Sequence, residues 1–115
     1  PYRVGLLVDL TGSAFEEGEH VLFGAQFAVD AINQKGGIKG RRIQLQIVDS
    51  RSTLSGMDDA IDQLESVASL QAILIHTKER PPHLEDFAKK NDVFLLILDE
   101  RLRDADRRGR LILCN

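Results

Sequence analysis

Short apolar runs alternate with longer amphipathic stretches along this chain, and that alternation limits the fold more than any other feature. Arg3–Val8 (RVGLLV), Arg42–Val48 (RIQLQIV), Ala72–Ile75 (AILI) and Val93–Leu98 (VFLLIL) read as strands, and Arg110–Cys114 (RLILC) reads as a fifth. Between the first two, after a loop over Asp9–Gly18, the sequence predicts a helix starting near Glu19. Val21, Leu22, Ala25, Ala28, Val29 and Ile32 recur at spacings of three and four and share one of its faces. Gly24 interrupts that helix, and a close approach to a neighbouring backbone would justify it. Met57, Ala60, Ile61, Leu64, Val67 and Ala68 mark a second helix, with Ser55 and Asp58 spaced as a capping box. Pro81 and Pro82 suit the first turn of a third, with Leu84, Phe87 and Ala88 facing inward. Strands that alternate with helices in this order form a parallel sheet with right-handed crossovers. The expected fold is therefore α/β, a three-layer flavodoxin-like sandwich on a parallel five-stranded sheet in the order 2-1-3-4-5.

The glycines at Gly36, Gly37 and Gly40 pose a choice between a phosphate cradle and a turn. A cradle places its glycines after a strand and at the start of a helix, where free N–H groups and the positive end of the dipole meet the anion. Here the helix comes first and a strand follows. The free groups at a helix end are carbonyls, so the polarity is wrong for an anion, and the segment reads as a helix stop and turn.

With 115 residues the chain is expected to form a single α/β domain over 1–115. Its net charge of −3 and its 5% aromatic content argue against nucleic acid as a partner. The one cysteine, Cys114, excludes a disulfide within the chain. No run approaches the roughly 20 apolar residues of a membrane-spanning helix.

In an open parallel sheet, ligands sit outside the carboxyl ends of the strands. That rule selects the loops Leu10–Phe15, His76–Arg80 and Asp99–Arg103. Thr11, Ser13 and Thr77 are the candidate hydrogen-bond donors, His76 with Lys78, Glu79 and Arg80 could add a polar site, and Asp99 stands at the tip of the fourth strand. Thr11 and Ser13 also suit plain turn or capping roles. The histidines, His20, His76 and His83, fall in separate segments without ligand spacing, so no metal site is expected, and no cofactor. A catalytic nucleophile arrangement is missing, as is a G-x-S-x-G elbow. Asp9 and Asp49 end strands one and two as in a receiver phosphoacceptor, but position 76, after strand three, is His where that mechanism wants Asp. The run Asp99–Arg108 is dense in opposite charges and reads as a solvated connection.

Residues 4–52, "VGLLVDLTGSAFEEGEHVLFGAQFAVDAINQKGGIKGRRIQLQIVDSRS", resemble the opening of the type I periplasmic binding proteins, in particular the branched-chain amino-acid and amide receptors of ABC transporters. The likeness rests on a first strand and a Thr-Gly loop, then on Gly24, Ala25, Ala28, Val29, Asp30, Ile32 and Asn33 in the helix. Gly36, Gly37, Ile38, Gly40 and Arg41 in the turn complete it. It implies the first lobe of a two-lobed clamp, periplasmic or extracellular and not an enzyme, that closes on a small polar, amino-acid-like or amide ligand. The chain would be most of that lobe, a fragment that ends before the helix normally following the fifth strand. Its implied partners are the second lobe and a membrane permease or a signalling domain. The second half departs from the pattern. "IHTKERPP" stands where Gly-Pro and small hydroxyl residues hold a ligand carboxylate, and Asp99 and Glu100 bring negative charge to another rim. A simple aliphatic amino acid is accordingly not the first expectation. A lobe serving assembly as a homodimer, without ligand, is the alternative.

Overall fold

The computed structural model describes residues 1–98; the expected fifth strand at Arg110–Cys114, the charged run and Asp99 lie outside the described residues. The described elements are β1 (Tyr2–Val8), α1 (Phe15–Gln34), β2 (Ile43–Asp49), α2 (Leu54–Glu65), β3 (Leu70–His76), α3 (His83–Lys90) and β4 (Phe94–Ile97). They form a four-stranded sheet in the order β2-β1-β3-β4. Every neighbouring pair is parallel. The four-stranded part of the expected order is thus present. The register aligns Val8 with Asp49 on one side and with His76 on the other, so three strand tips lie side by side on one rim.

Alternation along the strands builds two apolar faces. Leu7, Val48, Ile73 and Ile75 pack with Met57, Ala60, Ile61 and Leu64 of α2 and with Leu84 and Phe87 of α3. Leu6 and Val8 point the other way, toward the side where α1 crosses β1 and β2, and are equally inaccessible to solvent. Burial on both faces is why β1 reads as an unbroken apolar run rather than an alternating one. β2 sits at the edge, and its Gln44 and Gln46 alternate with Ile43, Leu45 and Ile47 as an edge strand allows.

Two helix starts differ from expectation. α1 begins at Phe15, not near Glu19, and no side chain caps it. The residue before it, Ala14, has no capping side chain, and its N–H is accepted instead by Ser52 Oγ at 3.1 Å, from beyond β2. Glu16 and Glu17 then occupy the first turn, where the helix dipole favours negative charge. α2 begins at Leu54, and its cap is Thr53: Gly56 N–H donates to Thr53 Oγ1 at 2.9 Å. The Ser55–Asp58 pair lies inside the helix and is not a capping box.

The glycine that allows a close approach is also a different one. A Cβ on Gly24 would meet nothing within 4 Å, whereas a Cβ on Gly18 would lie 1.7 Å from the carbonyl oxygen of Asp9. α1 therefore rests its first turns directly on the backbone at the tip of β1. At its other end the chain turns as expected. Gly36 and Gly37 take φ of 99° and 85°, and the Gly37 N–H returns to the carbonyl of Ile32 at 2.9 Å. Lys39 and Gly40, at φ 51° and 80°, then close a tight hairpin in which Ile38 and Arg41 exchange backbone hydrogen bonds. The Asn33 side chain clasps both backbone groups of Ile43, at 2.9 and 2.8 Å, and ties the end of α1 to the start of β2.

Candidate functional site

The rim formed by the strand tips is organised by two carboxylates. Asp9 follows β1 and is 2% exposed. Its Oδ1 accepts from Ser50 Oγ at 2.5 Å and Ser52 N–H at 2.9 Å, and its Oδ2 accepts from Lys78 N–H at 2.7 Å. One buried side chain therefore joins the loops after β1, β2 and β3. Such a group is stable in the interior only because each acceptor is satisfied. Asp49 ends β2 and joins the loops after β1 and β2 on the outer side. Its Oδ1 accepts from the N–H groups of Leu10, Thr11 and Arg51 at 2.9, 3.3 and 2.8 Å, and its Oδ2 from Thr11 Oγ1 at 2.8 Å. Burial alone pushes the Asp49 carboxyl up, but the bonds from Leu10, the Thr11 hydroxyl, Arg51 and the Thr11 amide together outweigh it and hold the pKa below its ordinary 3.8. Both carboxylates serve the loops. Arg51 and Ser52 adopt φ of 57° and 60°, conformations uncommon outside glycine, and the bonds to Asp49 and Asp9 hold them there.

Against this frame sits a cavity of about 240 Å³, lined by Ile75, Ile97, Leu98 and Ala14 on its apolar side and by Asp9, Glu17, His76, Thr77, Lys78 and Arg80 on its polar side. It draws on the tips of β1, β3 and β4 and on the first turn of α1. His76 spans it: one ring nitrogen lies 2.7 Å from the Leu98 carbonyl oxygen and the other 3.3 Å from Glu17 Oε2. Lys78 reaches back so that its Nζ donates to Ser13 Oγ at 3.0 Å.

The residues selected from sequence are placed as follows. His76 and Thr77 line the cavity. The Thr77 hydroxyl donates to the Glu79 carbonyl at 2.7 Å and shapes its own loop. Ser13 stands at the rim under Lys78, outside the lining. Thr11 donates its hydroxyl to Asp49, away from the cavity. Asp99 lies outside the described residues. Ala14 falls within the selected loop Leu10–Phe15 without being singled out, and Glu17 was missed because the helix was expected to start near Glu19, two residues beyond it. Sequence reasoning also missed the apolar wall of Ile97 and Leu98. The signal for Glu17 was present in the acidic pair that opens the helix. His20 and His83 sit on α1 and α3, apart from His76 and from each other in sequence and element.

The family model described as "Periplasmic binding protein" matches residues 1–96. Over 46 residues the chain is 48% identical to the Leu/Ile/Val-binding protein BraC3 of Rhizobium johnstonii, a match covering 40% of this chain and 12% of that protein. A solved structure of a putative branched-chain amino acid ABC transporter from Silicibacter pomeroyi superposes with a TM-score of 0.78 at 27% identity, covering 94% of this chain and 29% of that one. The branched-chain amino acid transporter substrate-binding protein LivJ of Streptococcus pneumoniae, solved in complex with isoleucine, shares the fold with a TM-score of 0.70 at 24% identity, over 90% of this chain and 31% of its own. The chain thus spans under a third of the length of these solved relatives. By the match of its family model over residues 1–96, the chain belongs to the periplasmic binding protein family.

Proposed function

We propose that this chain is most of the first lobe of an ABC-transporter substrate-binding protein, non-catalytic and periplasmic, and that the cavity at its strand tips is its half of a ligand site. The observation that carries this reading is the cavity itself, with an apolar wall and a polar wall at the carboxyl ends of β1, β3 and β4. Its volume, about 240 Å³, falls below the roughly 300–1,000 Å³ typical of complete small-molecule sites, as suits one side of a two-sided mouth. The polar wall brings the positive charges of Lys78 and Arg80 to the cavity, which favour a carboxylate, and Ile75, Ile97 and Leu98 offer apolar surface to an aliphatic side chain. Branched-chain amino acids, which the names of the relatives carry, have both parts. The apolar wall restores them as first candidates. Thr11, Ser13 and Asp99 are secondary candidates, as parts of the same rim.

Isothermal titration calorimetry with leucine, isoleucine and valine, and with their carboxamides, tests the reading. Binding of an amino acid with loss of affinity for its amide is expected. Equal affinity for both, or heat for neither, would remove the carboxylate-binding role of the polar wall.

One observation favours a second reading, assembly without ligand. Phe23 and Phe27, four residues apart on α1, are 60% and 77% exposed. Sedimentation equilibrium separates the two: a ligand-indifferent dimer supports assembly, and a monomer that binds an amino acid supports recognition.

A further inference from the structure

The His76 ring is engaged from both sides, and the partners dictate its protons. Nδ1 lies 2.7 Å from the carbonyl oxygen of Leu98, which can only accept, so Nδ1 carries a hydrogen. In a neutral imidazole Nε2 would then turn a lone pair toward Glu17 Oε2, 3.3 Å away, and two acceptors would face each other. The contact attracts only when Nε2 is protonated as well, that is, in the imidazolium. We propose that His76 and Glu17 form a proton-operated latch across the strand-tip cavity, closed when His76 is charged and released when it is neutral.

The two arms differ in freedom. The His76 side chain is 24% exposed and fixed by Leu98, while that of Glu17 is 78% exposed, so Glu17 is the arm that moves. Among the described residues the other charged groups around the cavity are Asp9 from the tip of β1 and Lys78 and Arg80 from the loop after β3; Ile97 of β4 and Leu98 after it add no charge. The Asp9 carboxylate is taken up by Ser50, Ser52 and Lys78, and the Lys78 ammonium rests on Ser13, so neither competes for the His76 ring. Release of Glu17 into solvent widens the mouth, so ligand access rises as His76 loses its proton. This regulation rests on reading the cavity as the ligand site.

The latch has a ligand-free readout. Long-range ¹H–¹⁵N spectra of the chain, followed through a pH titration, report the tautomer of His76, and ¹³C spectra report the Glu17 carboxylate. The expected result is Nδ1–H retained on both sides of the titration, with the Glu17 Cδ resonance stepping at the His76 midpoint and losing that step in H76Q. An Nε2–H tautomer at high pH, or a Glu17 Cδ resonance indifferent to His76, would overturn the proposal. The tautomer measurement needs no variant. Since no ligand is added, its failure is separate from failure of the ligand-binding reading, which the calorimetry reports.

Discussion

At the scale of single residues, the rim depends on groups whose roles only tertiary contact reveals. Gly18 is the sharpest case. Its absent Cβ makes room for the Asp9 backbone, so Gly18→Ala forces apart α1 and the tip of β1 and should cost at least about 3 kcal/mol. Gly24→Ala, with open space around it, should instead stabilise by about 0.5–1 kcal/mol through helix propensity. Urea denaturation of the two variants should give midpoints that move in opposite directions. Asp49 makes a second prediction. Its pKa is lowered below the ordinary 3.8, so its contribution to stability is present above that value and is lost as pH falls through the folded-state pKa. The acid limb of a stability-versus-pH curve should therefore flatten in Asp49→Asn; an unchanged limb would contradict the assignment. Neither Gly18 nor Asp49 stood out in the sequence as a packing or hydrogen-bonding centre. The partners of Gly18 lie across a loop, and those of Asp49 include Leu10 and Thr11 after another strand.

At the scale of elements, the four described strands were legible and the starts of α1 and α2 were not. The runs at Arg3–Val8 and Ala72–Ile75 identify β1 and β3 because both are buried on two faces or nearly so, and burial of that kind leaves a continuous apolar signature. The turn after α1 was equally legible, since positive φ at Gly36 and Gly37 is a local demand with a local answer. The start of α1 was not legible because its N-cap residue, Ala14, has no side-chain acceptor, and the Ala14 N–H is met by Ser52, 38 residues away. The start of α2 failed for a smaller reason: Thr53 and Ser55 are both capping residues, and local pattern alone does not choose between them. The structure does choose, and Thr53→Ala should cost about 1 kcal/mol while Ser55→Ala stays within about 0.5 kcal/mol of wild type. Thermal unfolding of the pair is sufficient to check it. Equal losses would restore Ser55 as the cap.

At the scale of the whole molecule, topology gives the site its place. Parallel strands in the order β2-β1-β3-β4 bring the tips after Val8, Asp49 and His76 to one rim. The Asp9 carboxylate then ties three of the rim's loops into one unit. That much of the candidate site followed from strand order, and His76 and Thr77 with it. Glu17 did not follow, because a helix start had to be known first. The measurement that bears most directly on the central claim is a ¹H–¹⁵N correlation titration of the chain with L-isoleucine, with every perturbed amide mapped. The account predicts shifts gathered at Ala14, Glu17 and His76 through Arg80. Shifts gathered instead around Glu85, Lys89 and Asp92, at the opposite end of β4, or none up to the solubility of the amino acid, would contradict it.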